Sequence, residues 1–140
     1  MSKILVTGGT GFIGSHTVVE LQEAGYDVII VDDLSNSKAE VVDNIEKITG
    51  KRPEFENFDL SNRADTLNFF LRHKDICAVI HFAAFKAVGE SVAKPWEYYD
   101  NNLNSTLVLT KVMKQAGVKT IIFSSSATVY AADNEMPLKE

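Results

Sequence analysis

Three glycines spaced by three, Gly8, Gly11 and Gly14, separate the apolar run Ile4-Leu5-Val6 from a stretch in which Val18, Leu21 and Ala24 recur at helical spacing. This break constrains the fold more than any other feature of the chain. A short apolar run without alternation fits a strand buried on both faces of a parallel sheet, and the periodic stretch fits the helix that must follow it. Gly25 supplies the stop for that helix. Between strand and helix, glycine keeps backbone N–H groups bare, so a pyrophosphate can approach the positive end of a helix dipole of roughly half a charge.

The residues that follow extend the pattern. Val28 to Val31 form a second apolar run, and Asp32 stands 18 residues beyond Gly14. That is close to the ~20 at which a carboxylate grips the adenosine ribose of a dinucleotide. An acid here accepts from both ribose hydroxyls and repels a 2′-phosphate, which favours NAD over NADP. A glycine triplet alone could build a plain tight turn, but strand, glycines, helix, strand and acid occur in the order that the cofactor reading requires.

Apolar runs and helical patterns alternate along the rest of the chain. Val41, Val42, Ile45 and Ile48 predict a helix ending at Gly50, and residues 55–60 a weaker third strand. Leu67, Phe70 and Leu71 mark the next helix and residues 78–83 a fourth strand. Leu103, Leu107, Thr110 and Met113 are expected to line a longer helix that stops at Gly117, before a fifth strand over 120–123. The implied fold class is α/β: a doubly wound parallel sheet, Rossmann-like, with a crevice at the carboxyl ends of its strands.

Length and charge bound the alternatives. At 140 residues the chain forms one domain, expected over 1–140, that buries about two-thirds of its unfolded surface. A net charge of −5 discourages nucleic acid and acidic membranes as partners. One cysteine, Cys77, cannot form an internal disulfide, no signal segment precedes the first strand, and no run reaches the ~18 apolar residues of a membrane span. A cytoplasmic setting is expected.

Several polar residues fall at the expected crevice. Asp59 beside Leu60 reads equally as a helix cap and as an acceptor for the exocyclic amine of adenine. Lys86, just past the fourth strand, reads as a solvated loop charge or as a contact for cofactor phosphate or ribose. His81 is read as a satisfied core histidine without a catalytic role, and Trp96, Tyr98 and Tyr99 as core or groove aromatics at a helix start after Pro95. His16, His73 and His81 lie at no metal-ligand spacing, so no metal is expected. Ser124, Ser125 and Ser126 follow the fifth strand where the reacting end of a dinucleotide would lie. Ser126 becomes a candidate ligand for a substrate hydroxyl, since no Gly-x-Ser-x-Gly elbow surrounds it.

Thr7-Gly8-Gly9-Thr10-Gly11-Phe12-Ile13-Gly14 resembles the cofactor motif of the extended short-chain dehydrogenase/reductase family. Two further stretches, His81 through Lys86-Ala87-Val88-Gly89-Glu90-Ser91 to Asn102 and Phe123 through Tyr130, resemble the epimerases of that family that interconvert UDP-galactose and UDP-glucose. The resemblance implies that Phe12 and Ile13 lie by the pyrophosphate and that Asp32, Asp33, Leu34, Ser35, Asn36 and Ser37 enclose the adenine ribose. It places Asp59 and Leu60 at adenine, Phe82, Ala83, Ala84, Phe85 and Lys86 along the dinucleotide, Asn101 and Ser124 beside it, and Ser126 on the sugar hydroxyl. It implies NAD as a resident cofactor that takes hydride from sugar C4 and returns it to the opposite face, and a homodimer for the full-length protein.

Asp33, Ala84, Phe85 and Ala131 depart from the commoner Asn, Gly, Leu and Gly of that pattern. The family's chemistry depends on a Tyr-x-x-x-Lys pair whose ammonium lowers the phenol pKa. No tyrosine here has a lysine four residues on: the residues after Tyr26, Tyr98, Tyr99 and Tyr130 at that spacing are Ile30, Asn102, Leu103 and Asn134. The expectation is therefore an N-terminal portion that binds NAD at most, is nearly inactive alone, and self-associates through an open edge at the fifth strand. The alternatives are another nucleotide-sugar epimerase, reductase or dehydratase of the family and a non-catalytic dinucleotide-binding module. Ala127-Thr128 after Ser126 argues against a dehydratase, which carries Asp-Glu there.

Overall fold

Leu5 and Val6 are both fully buried although they are neighbours on one strand, as are Ile29 and Ile30 on the next, so the sheet they form is covered on both faces. The computed structural model of the chain describes residues 2–126. Its strands are β1 (Lys3–Thr7), β2 (Asp27–Asp32), β3 (Glu54–Asn57), β4 (Ile76–His81) and β5 (Thr120–Phe123). They pair in parallel in the order β3-β2-β1-β4-β5. Between them run α1 (Phe12–Glu23), α2 (Glu40–Thr49), α3 (Arg63–Arg72), α4 (Val88–Ala93), α5 (Pro95–Tyr99), a π turn (Asp100–Asn104) and α6 (Ser105–Ala116).

Alternation along the strands sorts the core into two layers. Leu5, Ile29, Val31 and Val79 pack with Phe69, Phe70, Val108, Leu109, Val112 and Met113 beneath α3 and α6. Val6, Ile30 and Ile80 pack with Val18 and Ile45 beneath α1 and α2. Phe69 is wholly buried, with its ring centroid 5.5 Å from those of Phe58 and Phe70, and truncating such a side chain costs about 3–5 kcal/mol.

The expected elements are present, with four corrections. The third strand ends at Asn57, so Phe58, Asp59 and Leu60 lie in the turn after it. The fourth strand runs from Ile76 to His81, two residues earlier than the apolar run suggested, because Phe82 and Ala83 leave the sheet to pass over Gly8. Of the expected stripe Leu103, Leu107, Thr110 and Met113, only Met113 is buried: Leu103, in the π turn, and Leu107, on α6, are 58% and 64% exposed and Thr110 is exposed, while α6 buries Ser105, Val108, Leu109 and Val112 beside Met113. Trp96 is 82% exposed and so is not a core residue, although the Tyr98 ring does pack on Phe85. Tyr130 and Ala131 lie outside the described residues.

Candidate functional site

The strand order reverses direction at β1, whose neighbours β2 and β4 carry the chain to opposite sides, and an open cleft of about 280 Å³ lies there at the strands' carboxyl ends. Gly8, Gly11, Phe12, Ile13 and Gly14 line it from the β1–α1 turn, and Val31, Asp32, Asp33, Ser35 and Asn36 from the end of β2. Phe58, Asp59 and Leu60 line it after β3, Phe82 to Lys86 after β4, and Asn101 and Ser105 from the π turn and the start of α6. A second hollow between the ends of α3 and α6, with Leu67, Phe70 and Leu71 in its wall, lies at the opposite end of the sheet, away from this switch point.

Glycine is required on the first wall mainly by the protein itself. Gly8 has φ +68°, and a Cβ there would stand 2.7 Å from the Ala83 nitrogen, so only glycine lets the β1 turn touch the segment after β4. A Cβ on Gly14 would be driven into the Gly8 carbonyl. Gly11 caps α1 without any side-chain hydrogen bond, and the first turn of α1 holds no acidic residue. By contrast α3 is capped by Asn62, whose Oδ1 accepts from the backbone N–H groups of Ala64 and Asp65 at 3.0 and 3.3 Å. The open end of α1 thus faces the cleft without a side-chain cap or an acidic residue of its own first turn.

Asp32 is 7% exposed and already anchored. Its Oδ2 accepts from Thr10 N–H at 3.2 Å, and its Oδ1 accepts from Leu34 N–H at 3.0 Å and from the Ser37 hydroxyl at 3.1 Å. Since Ser37 donates to Asp32, the Thr10 hydroxyl donates in turn to Ser37 Oγ at 2.7 Å. These bonds hold Leu34 at φ +60°, the one positive φ of a non-glycine among the described residues. Leu34 and Ser37 therefore stand behind the cleft wall and orient the carboxylate, while Asp33, Ser35 and Asn36 face the cleft. Asp59 caps nothing on α3; its carboxylate turns to the N–H and hydroxyl of Ser61 at 2.8 and 2.7 Å.

The segment after β4 is fixed by a residue to which sequence reasoning assigned no role. Asn102 accepts from the Phe85 N–H at 2.8 Å and donates to the Phe85 carbonyl at 3.0 Å, a two-point clasp, and Asn101 Nδ2 donates to the same Oδ1 at 3.0 Å. Five residues in a π turn place Asn101 in the cleft wall and Asn102 on Phe85, one after the other. The adjacent pair Asn101-Asn102 was the available signal; the turn that gives the two different tasks was not. Val31, Phe58 and Ser105 are likewise wall residues not singled out from the sequence.

His81 sits 2% exposed below this segment in a chain of hydroxyls. Thr106 Oγ1 donates to the Asn102 carbonyl at 2.8 Å, which leaves it to accept from His81 Nε2–H at 3.1 Å. His81 Nδ1 then accepts from the Thr7 hydroxyl at 2.6 Å. The ring is neutral: burial, with a smaller push from Lys86, lowers its pKa from 6.5 to about 4. It is a structural link between β1, β4 and α6.

Ser124 is half-buried and donates its N–H to the His81 carbonyl at 3.2 Å. Ser126, the last described residue, is exposed, and neither serine is part of the cleft wall. Among the described residues no group of three His, Cys, Asp or Glu side chains is placed to hold a metal ion, and no helix is long and apolar enough to cross a membrane.

A model of the NAD dependent epimerase/dehydratase family matches residues 4–140. The chain is 54% identical over 138 residues to the UDP-glucose 4-epimerase of Erwinia amylovora, spanning 99% of this chain and 41% of that protein. It is 53% identical to a UDP-glucose 4-epimerase sequence of Klebsiella pneumoniae, spanning 99% of both. The structure superposes on that of UDP-glucose 4-epimerase from Bifidobacterium longum in complex with NAD+ and UDP, with a TM-score of 0.93 and 55% identity over 99% of this chain and 41% of the other.

Proposed function

The chain belongs to the NAD dependent epimerase/dehydratase family, and we propose that residues 1–140 form the NAD-binding domain of an enzyme that interconverts UDP-galactose and UDP-glucose. The observation that carries the cofactor part is the pairing of a buried, pre-oriented Asp32 carboxylate with the uncapped start of α1 across one cleft. The N–H groups of the first turn of α1, Phe12 to Gly14, would take the pyrophosphate of a bound dinucleotide, and Asp32 its adenosine ribose, the Gly11 N–H being already given to the Gly8 carbonyl. The site fits such a group: Gly11 keeps bare backbone on the wall, and the Ser105 hydroxyl is buried there without a partner.

NAD supplies the hydride acceptor and donor at sugar C4. The chain's own residues supply the rest of the frame. Asn102 holds the Phe85–Lys86 segment against the cleft, Lys86 offers a cation to a phosphate or ribose oxygen, and Ser126 is assigned to the sugar hydroxyl. The UDP-sugar assignment is supported by relatives more than 50% identical over nearly the whole chain. The setting we infer is the cytoplasm, supported by a single, exposed thiol at Cys77.

Calorimetry tests the first part. The protein is expected to bind NAD(H) at least about 10-fold more tightly than NADP(H), a difference of ~1.4 kcal/mol, because Asp32 and Asp33 repel a 2′-phosphate. The reverse preference would remove the assignment of Asp32. For the second part, UDP-galactose should be converted to UDP-glucose when a Tyr-x-x-x-Lys pair accompanies this chain, and a coupled assay that finds no conversion would remove the epimerase reading.

The full-length protein is further assigned a homodimer. Its support is an outward stripe on the continuous helical run from α5 to α6: Trp96, Tyr99, Leu103 and Leu107, spaced by three and four, are 82%, 63%, 58% and 64% exposed. Sedimentation is expected to give a dimer that Leu103→Glu converts to monomer. A variant that still sediments as a dimer would move the interface elsewhere, the exposed strand β5 being the next surface to try.

A further inference from the structure

We propose that the Ser105 hydroxyl is a further contact for the dinucleotide, a hydrogen-bonding group kept out of water for that ligand. The inference rests on the NAD reading above. Ser105 opens α6 directly after the π turn, is 4% exposed, and lines the cleft. Its Oγ has no hydrogen-bond partner, and the one other buried side-chain atom in that condition among the described residues is Gln22 Nε2, on α1 and away from the cleft.

Neighbouring hydroxyls on the same helix show what a serine there ordinarily does. Thr106 Oγ1 donates to the Asn102 carbonyl and Thr110 Oγ1 to the Thr106 carbonyl, both at 2.8 Å and both four residues back. Ser105 does not back-bond in this way, while its own N–H does take the Asn101 carbonyl. A buried hydroxyl without a partner destabilises the fold, and alanine would suit the helix better on propensity as well. The hydroxyl makes physical sense where an acceptor or donor arrives from outside. The hydroxyl lies in the cleft wall and meets no donor or acceptor of the protein, so the group that satisfies it belongs to the ligand.

Ser105→Ala separates this role from a structural one, because the two act in opposite directions. The ligand-free variant should melt at the same temperature as the wild type or a few degrees higher, while its calorimetric Kd for NAD rises about 10-fold, ~1.4 kcal/mol of lost contact. A Kd within twofold of the wild type overturns the proposal, as does a variant that melts lower with unchanged affinity. A wild type that binds no NAD(H) at all defeats the NAD reading and this contact together. Binding by the wild type with an indifferent Ser105→Ala defeats the contact alone.

Discussion

Gly14→Ala is expected to destabilise the protein by about 3 kcal/mol and to abolish dinucleotide binding, although the same change in a free helix would gain about 1 kcal/mol. The reason is the fit of α1 against the turn that precedes it. A Cβ on Gly14 would overlap the Gly8 carbonyl and stand 2.9 Å from both the Gly8 carbonyl carbon and the Gly9 Cα, all of it backbone that no rotamer change can move. Relief requires α1 to lift from the β1 turn, and the N–H groups at its start move with it. Gly89→Ala is the internal control: Gly89 lies in α4 with nothing within 4 Å of its missing Cβ, and that variant should be neutral or slightly stabilised. Urea denaturation of both variants checks this, and equal stability of the two would show that α1 does not need the close approach.

Acid should remove about 3 kcal/mol of stability through His81 alone between pH 6.5 and 4. In the unfolded chain the ring takes a proton at its ordinary 6.5, whereas in the fold it resists protonation down to about 4. Between those values only the unfolded state gains the proton. The contribution is complete above pH 6.5 and is lost as the pH falls toward 4. Protonation would also put a donor at Nδ1, where the Thr7 hydroxyl now donates, so the link from β1 through β4 to Asn102 breaks at its centre. Urea melts of the wild type and His81→Gln across this range isolate the effect. The variant should lose most of the slope, and a wild type of constant stability from pH 7 to 5 would contradict the neutral buried ring.

The sheet and its crevice were legible because their signals are local: continuous apolar runs, glycines at a helix start, and an acid at the end of the second run. Asp32 and the Gly8–Gly14 turn could be placed for that reason. Where several tertiary contacts compete, the sequence was a weaker guide. Leu103, Leu107, Thr110 and Met113 share a helical period, yet only Met113 turns inward; packing against α3 and the sheet selects Val108, Leu109 and Val112 beside it, a choice that apolar spacing alone does not make. The end of β3 was read too late because Phe58 and Leu60 are apolar for the sake of the core beneath α3, to which both belong, rather than for strand pairing. Asn102 and Ser105 could not be assigned tasks from residue type alone: one depends on the return of the chain at Phe85, the other on having no partner.

Placing β1 at the middle of the sheet has a consequence for how the polypeptide is made. One flank of β1 pairs with β2 within about two dozen residues, but the other waits for β4, whose His81 aligns with Thr7 only after 74 further residues have been synthesised. A ribosome adding about 5–20 residues per second leaves that flank bare for several seconds. During that interval Leu5 and Val6 are a template for any passing extended segment, and a holding chaperone that recognises bare apolar strands would find its binding site in β1.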